Sequence, residues 1–183
     1  MKKLLLVFFL SFSASVSVLA QTNEFIERQG QVTFFSYTSV ENIQATNNQV
    51  LSLFHPDKQE IAVSILMRAF VFKKSLMHEH FNESYIESDL YPKATFNGKL
   101  TDFDPNAGDT QTKIIQGSFT LKDITKAIEV KATITKIDNG FTISGSLEVM
   151  IDDYNIKVPP LLSPNISKKI EVSFNFNYAP YEK

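Results

Sequence analysis

Apolar and polar residues alternate along most of this chain, and a period of two confines it to β-strands with one buried and one wetted face. Ile61, Val63, Ile65 and Met67 form one such row. Ala94, Phe96 and Leu100 alternate with Lys93, Thr95, Asn97, Lys99 and Thr101. Ile128, Val130, Ala132 and Ile134 are followed by Phe141, Ile143, Leu147 and Val149, and Ile170, Val172, Phe174, Phe176 and Tyr178 end the series. Together these make about eight strand candidates, at the spacing of an antiparallel barrel or sandwich.

Turn signals separate the rows. His55-Pro56-Asp57-Lys58 and Asp104-Pro105-Asn106-Ala107-Gly108 read as loops. Asp138-Asn139-Gly140 is the strongest hairpin signal, because Asn-Gly accepts the positive φ of a tight turn. Two segments break the rhythm. Ser75 to Ser88 is helix-like, with Met77, Phe81, Ser84, Tyr85 and Ser88 on one side and Glu79 and Glu83 off it. Ile151 to Lys168 carries Pro159, Pro160 and Pro164, which excludes a central strand or long helix and implies a long crossing loop with at most a helical turn.

The first 20 residues have the tripartite form of a secretory signal. Lys2 and Lys3 precede an apolar run from Leu4 to Phe12, and Val18-Leu19-Ala20 offers cleavage before Gln21. Residues 21–183 then form one domain, expected in the periplasm or outside the cell. The continuous apolar stretch is too short to span a bilayer well, so no stable membrane insertion is expected after cleavage. The whole chain carries net charge −2, and the signal takes away two lysines and no acid. A mildly acidic domain has no electrostatic footprint for nucleic acid. Cys is absent, which excludes disulfides, thiolate metal sites and cysteine nucleophiles.

Motifs for catalysis are scarce. His78-Glu79-His80 is not a zinc-binding helix motif, because helical residues two apart point in different directions. Asp102-x-Asp104-x-Asn106 opens like a calcium loop, but Ala107 stands where glycine is required and Lys113 where a bidentate glutamate belongs. No G-x-S-x-G elbow is present. Asp152 and Asp153 are adjacent, so on a strand they would face opposite ways rather than across a glycosidic bond. No metal, cofactor or enzyme activity is expected, and a hydrolase or isomerase using His78, His80 or Asp153 is the catalytic alternative.

The aromatic content says more. Phe occurs 16 times and Trp not at all. Phe34, Phe96, Phe119, Phe141, Phe174 and Phe176 lie on apolar faces, with Gly98, Gly117 and Gly145 among them. A barrel of about eight strands is either just filled by its side chains or holds one small elongated ligand. Both outcomes fit these residues.

Several segments resemble the YceI-like family of exported proteins that bind polyisoprenoid lipids. Met77-His78-Glu79-His80-Phe81-Asn82-Glu83-Ser84-Tyr85-Ile86-Glu87-Ser88, followed by Tyr91-Pro92-Lys93-Ala94-Thr95-Phe96, is similar to the family's helix and next strand. Gln116-Gly117-Ser118-Phe119-Thr120-Leu121 resembles its V-x-G-x-L-T strand, and Asp152-Asp153-Tyr154-Asn155-Ile156 its late D-[FY]-G-I element. Two places depart from the pattern: Lys122-Asp123 replaces a turn His-Gly, and Asn155 a glycine.

The resemblance implies an all-β protein with one short helix, an antiparallel lipocalin-like β-barrel holding a long isoprenoid lipid, such as a polyprenyl phosphate or quinone. Expected lumen residues are Phe34, Val63, Met77, Phe81, Tyr85, Phe96, Phe119, Ile143 and Phe174. Arg68, Lys73, Lys74 and Lys126 are candidate cations at the mouth. The competing expectation is a closed barrel that acts through surface contacts in a stress response and holds no lipid.

Overall fold

A computed structural model describes residues 23–108, 110–160 and 163–182. The expected signal segment lies outside them. The strands in chain order are β1 (Phe25–Ser36), β2 (Ile43–His55), β3 (Glu60–Leu66), β4 (Val71–Phe72), β5 (Lys93–Leu100), β6 (Gln111–Leu121), β7 (Ile124–Ile137), β8 (Gly140–Met150) and β9 (Lys169–Pro180). All pairings are antiparallel, in the order β1-β9-β8-β7-β6-β5-β3-β2. β2 pairs back onto β1, so eight strands close into a barrel. The two-residue β4 takes over the edge of β2 that β3 leaves, pairing with Ala45 and Thr46.

The expected alternation is realised on the inner wall. Ile61, Val63, Ile65, Ala94, Phe96, Val130, Ile134, Ile143 and Phe176 are all buried. Met67 extends the apolar row of β3 but sits in a 3-10 turn, Met67–Ala69, and is still buried. The alternation changes phase twice. β1 gains a residue between Glu27 and Gly30, and β2 gains one opposite the Gly30 to Val32 step. Such bulges bend a strand and help a sheet close. Asn47 holds the second. Its Oδ1 accepts from the Gln49 amide at 2.8 Å and its Nδ2 donates to the Leu66 carbonyl at 2.8 Å. Asn47 is wholly buried, and no apolar residue could satisfy both backbone groups.

The turns differ from expectation in an instructive way. In the β7–β8 hairpin the loop residues are Asp138 and Asn139, and Gly140 already pairs with Ile137. Neither Asn139 nor Gly140 has positive φ. Gly140 is needed for space instead, since a Cβ there would lie 1.9 Å from the Tyr178 carbonyl oxygen. The tight turn with two positive φ values is Lys122-Asp123, at 50° and 58°, between β6 and β7. Asn155 is also left-handed, with φ 51°, ending the turn Ile151–Tyr154. Asparagine tolerates that conformation better than most residues.

The helical segment is shorter than expected. The α-helix α1 covers Ser75–His80 and continues as a π-helical turn over Phe81–Tyr85. The Ile86 amide reaches back five residues to the Phe81 carbonyl at 2.9 Å. The extra residue rotates the stripe. Ser84, expected on the apolar side, is exposed, and Asn82 is buried in its place. Asn82 donates to the His78 carbonyl and accepts from the buried Ser88 hydroxyl, each at 2.8 Å. Among the described residues no helix is long and apolar enough to cross a membrane.

Candidate functional site

The two ends of the barrel differ. At one end, rings close the lumen: Phe54 packs on Phe141 at 5.3 Å and on Phe103 at 5.7 Å, and Phe25 packs on Phe141 at 5.0 Å. Leu100, Ile134, Ile143 and Tyr178 are almost wholly buried, and the Tyr178 ring meets Phe54 at 5.6 Å. A pocket of about 260 Å³, bordered by Phe25, Phe141, Asp57, Pro105 and Lys136, also lies at this end.

At the other end residues from 67–86, from 151–158 and from 165–166 border a chamber of about 360 Å³. Val32, Phe34, Ile65, Phe70, Phe119 and Val172 form part of its wall. Phe34 stacks on Phe81 at 5.5 Å, and Phe70 and Phe72 approach both rings at 5.1–5.8 Å. This cluster joins β1 and β4 to the π-helical turn, so the turn is part of the chamber wall. Tyr154 meets Phe119 edge-on at 5.6 Å from the opposite side. Burial pushes the Tyr85 hydroxyl above its ordinary value, and burial and the neighbouring Asp153 do the same for Tyr154.

Deeper in the barrel a second apolar space of about 70 Å³ shares Val32, Ile65, Phe119, Val149 and Val172 with the chamber. Of the nine lumen candidates, Phe34, Met77, Phe81, Tyr85 and Phe119 line the chamber. Val63, Phe96, Phe119 and Phe174 line the deeper space. Ile143 lines neither and is wholly buried near the ring-closed end.

The polar side chains of the chamber come from its covering segments and strand ends. They are Ser36, Glu41, Lys74, His80, Tyr85 and Asn165. Lys74 pairs with Glu41 across the mouth. Of the other candidate cations, Arg68 and Lys126 are not part of the chamber wall: Arg68 pairs with Asp89, and Lys126 lies 4.0 Å from Asp153. Lys73 is exposed and is not part of the chamber wall. Lys122, which sequence reasoning treated only as a turn residue, is nearly buried, at 9% exposure. Its Nζ donates to the Tyr85 carbonyl at 2.9 Å and to Glu87 at 2.5 Å, and it lies over the Tyr91 ring. It ties the end of the covering segment to the β6–β7 turn.

The other chemical candidates are scattered. His78 Nδ1 donates to the Phe70 carbonyl at 3.0 Å, while His80 faces the chamber. Asp152 pairs with Lys168 at 3.1 Å, on the exposed side of its turn, and Asp153 is exposed too. Asp104 Oδ1 accepts from the Asn106 amide at 2.8 Å, an ordinary loop contact, and Lys113 reaches the Asp102 carbonyl. Among the described residues, no group of three or more His, Asp or Glu is placed to hold a metal ion.

The YceI-like domain family matches residues 13–178. No curated protein matches the chain. Several solved structures share the fold. A polyisoprenoid binding domain from Saccharophagus degradans, implicated in plant cell wall breakdown, superposes with a TM-score of 0.74 at 12% identity, over 87% of this chain and 99% of that one. BcnA of Burkholderia cenocepacia gives 0.68 at 16% identity, over 80% and 94%. A mutant of the Campylobacter jejuni YceI protein gives 0.64 at 15%, over 80% and 90%.

Proposed function

We propose that this chain, which belongs to the YceI-like domain family, binds the apolar tail of a single-chain lipid of isoprenoid type in its barrel. The observation that carries the reading is the chamber of about 360 Å³, with an almost wholly hydrocarbon wall and polar groups gathered at its mouth. That arrangement suits an amphiphile: burial of the tail supplies the driving force, and a few groups at the opening orient the head. The name of the Saccharophagus degradans domain supports an isoprenoid tail. Lys74 and His80 are the groups nearest in character to what a phosphate or quinone head requires. The open chamber weighs against a filled barrel that works only through its surface.

Binding rather than catalysis is part of the proposal. Asp152 and Asp153 are exposed and are not part of the chamber wall, and His78 is engaged by the Phe70 carbonyl. So is export, by a signal cleaved after Ala20, to the periplasm or the medium. Native mass spectrometry of the protein purified from its own host tests the reading. The expected result is an adduct that solvent extraction identifies as a prenyl lipid or quinone. A clean apo mass, together with no uptake of added prenyl amphiphiles, contradicts it.

A further inference from the structure

The lumen has a fixed depth. Phe119, with Val32, Ile65, Val149 and Val172, borders both the chamber at the mouth and the 70 Å³ space below it. Phe96 and Phe174 line that lower space, and neither can retreat towards the barrel wall. The Phe96 ring lies so close over Gly98 and Gly117 that a Cβ on either would sit 2.6–2.7 Å from it. The Phe174 ring covers Gly145 in the same way, at 2.8 Å. Each ring already occupies the room that an ordinary side chain on the wall would take. Beyond them the cluster around Phe54, Phe141 and Tyr178 closes the barrel.

Volume then sets length. A dry apolar cavity of about 150 Å³ takes one benzene, which has six carbons. On that scale the chamber's 360 Å³ holds about 14 carbons, and the lower 70 Å³ about three more. That room, about 17 carbons, takes three whole isoprene units but not four, and we infer that the barrel selects a single hydrocarbon tail of three units, with Phe96 and Phe174 stopping its inner end. This rests on the lipid-binding reading above and adds the size of the tail. A longer tail leaves its excess in water, where added carbons gain no burial. A shorter one leaves voids whose lining loses contacts.

Displacement of an apolar fluorescent dye by prenyl monophosphates of two, three, four and five isoprene units tests this. A common headgroup keeps the mouth contacts constant. The expected result is a gain of roughly tenfold or more from two units to three, then affinities level within about twofold through five. In Phe174→Ala the levelling point moves to four units, and Phe174→Leu gives an intermediate shift should the alanine variant not fold. An affinity that keeps climbing at the same gain per unit through five units in the wild-type protein overturns the size limit while leaving lipid binding intact. A levelling point that stays at three units in the folded Phe174 variants removes Phe174 as the stop. Failure of every member to displace the dye overturns the lipid-binding reading itself.

Discussion

The Tyr178 hydroxyl donates to Ser52 Oγ at 2.5 Å, from β9 to β2, two strands that β1 separates in the sheet. The direction follows from proton counting. Ser52 has one hydroxyl hydrogen, and it goes to the Ala62 carbonyl at 3.0 Å. The tyrosine must therefore be the donor in the other bond. Both residues are buried, so this link joins the two strands away from the solvent-exposed surface.

Burial of the Tyr178 hydroxyl makes stability depend on alkaline pH. Burial pushes the Tyr178 hydroxyl far above its ordinary value, with Glu27 adding to the shift and the Ser52 bond opposing it. The unfolded chain releases this proton near about pH 10, while the folded chain keeps it. The unfolded state then binds fewer protons, so stability falls as pH rises, by about 1.4 kcal/mol per pH unit from this group. Tyr178→Phe should cost about 1 kcal/mol at neutral pH. Urea unfolding at about pH 8 and about pH 11 should show the gap between variant and wild type closing or reversing. A gap that stays constant contradicts the assignment.

Gly117 is required for backbone approach, not flexibility. A Cβ there would lie 2.4 Å from the Asn97 carbonyl oxygen and 2.7 Å from the Gly98 Cα, neither of which can rotate away. Gly117→Ala should destabilise the protein by about 1–3 kcal/mol. Gly108→Ala, where nothing lies within 4 Å, should change it by no more than about 0.5 kcal/mol. Thermal melts of the two variants make the comparison.

Lys122 carries the load that holds the covering segment down. Replacing it by methionine keeps the buried stem and removes the bonds to Tyr85 and Glu87. The cost should be about 1.5 kcal/mol, at the low end for charged hydrogen bonds because Glu87 is 44% exposed. The larger effect should be kinetic, with a bound apolar dye leaving several times faster in stopped-flow dilution. An unchanged release rate would show that this tie does not control access.

Asn47 should be among the least replaceable polar residues. Asn47→Leu matches its size but strands the Gln49 amide and the Leu66 carbonyl, at about 2–3 kcal/mol in a chemical denaturation measurement. Asn47→Ala should be no better, since it adds a void.

Alternation made the strands and the barrel legible, because Ile61, Val63, Ile65 and their like have to face one way. What it hid were places where a backbone group, not a side chain, sets the residue. Asn47 looks like a polar residue out of register until the bulge is seen. The phase change from Ala45 and Asn47 to Val50, Ser52 and Phe54 was the available signal. Likewise, a straight helix from Ser75 predicts Ser84 on the apolar side, and only the five-residue hydrogen bond at Phe81 brings Asn82 there. The Asn-Gly pair pointed to the wrong hairpin for positive φ, since Gly140 answers to the crowding of the Tyr178 carbonyl. The chamber itself was not legible. Phe34 and Phe174 read as core or lumen with equal ease, and only packing distinguishes a filled end from an open one.

The most direct test of the account is methyl NMR of the protein titrated with a prenyl monophosphate of three isoprene units. Ile65, Leu121, Val149 and Val172 line the chamber, whereas Ile134 and Ile143 pack elsewhere in the barrel core. The account predicts large shifts in the first set, saturating at one ligand per chain, and little change in the second. Shifts confined to outward methyls such as Leu51 and Ile114, with the chamber methyls unmoved, would contradict it.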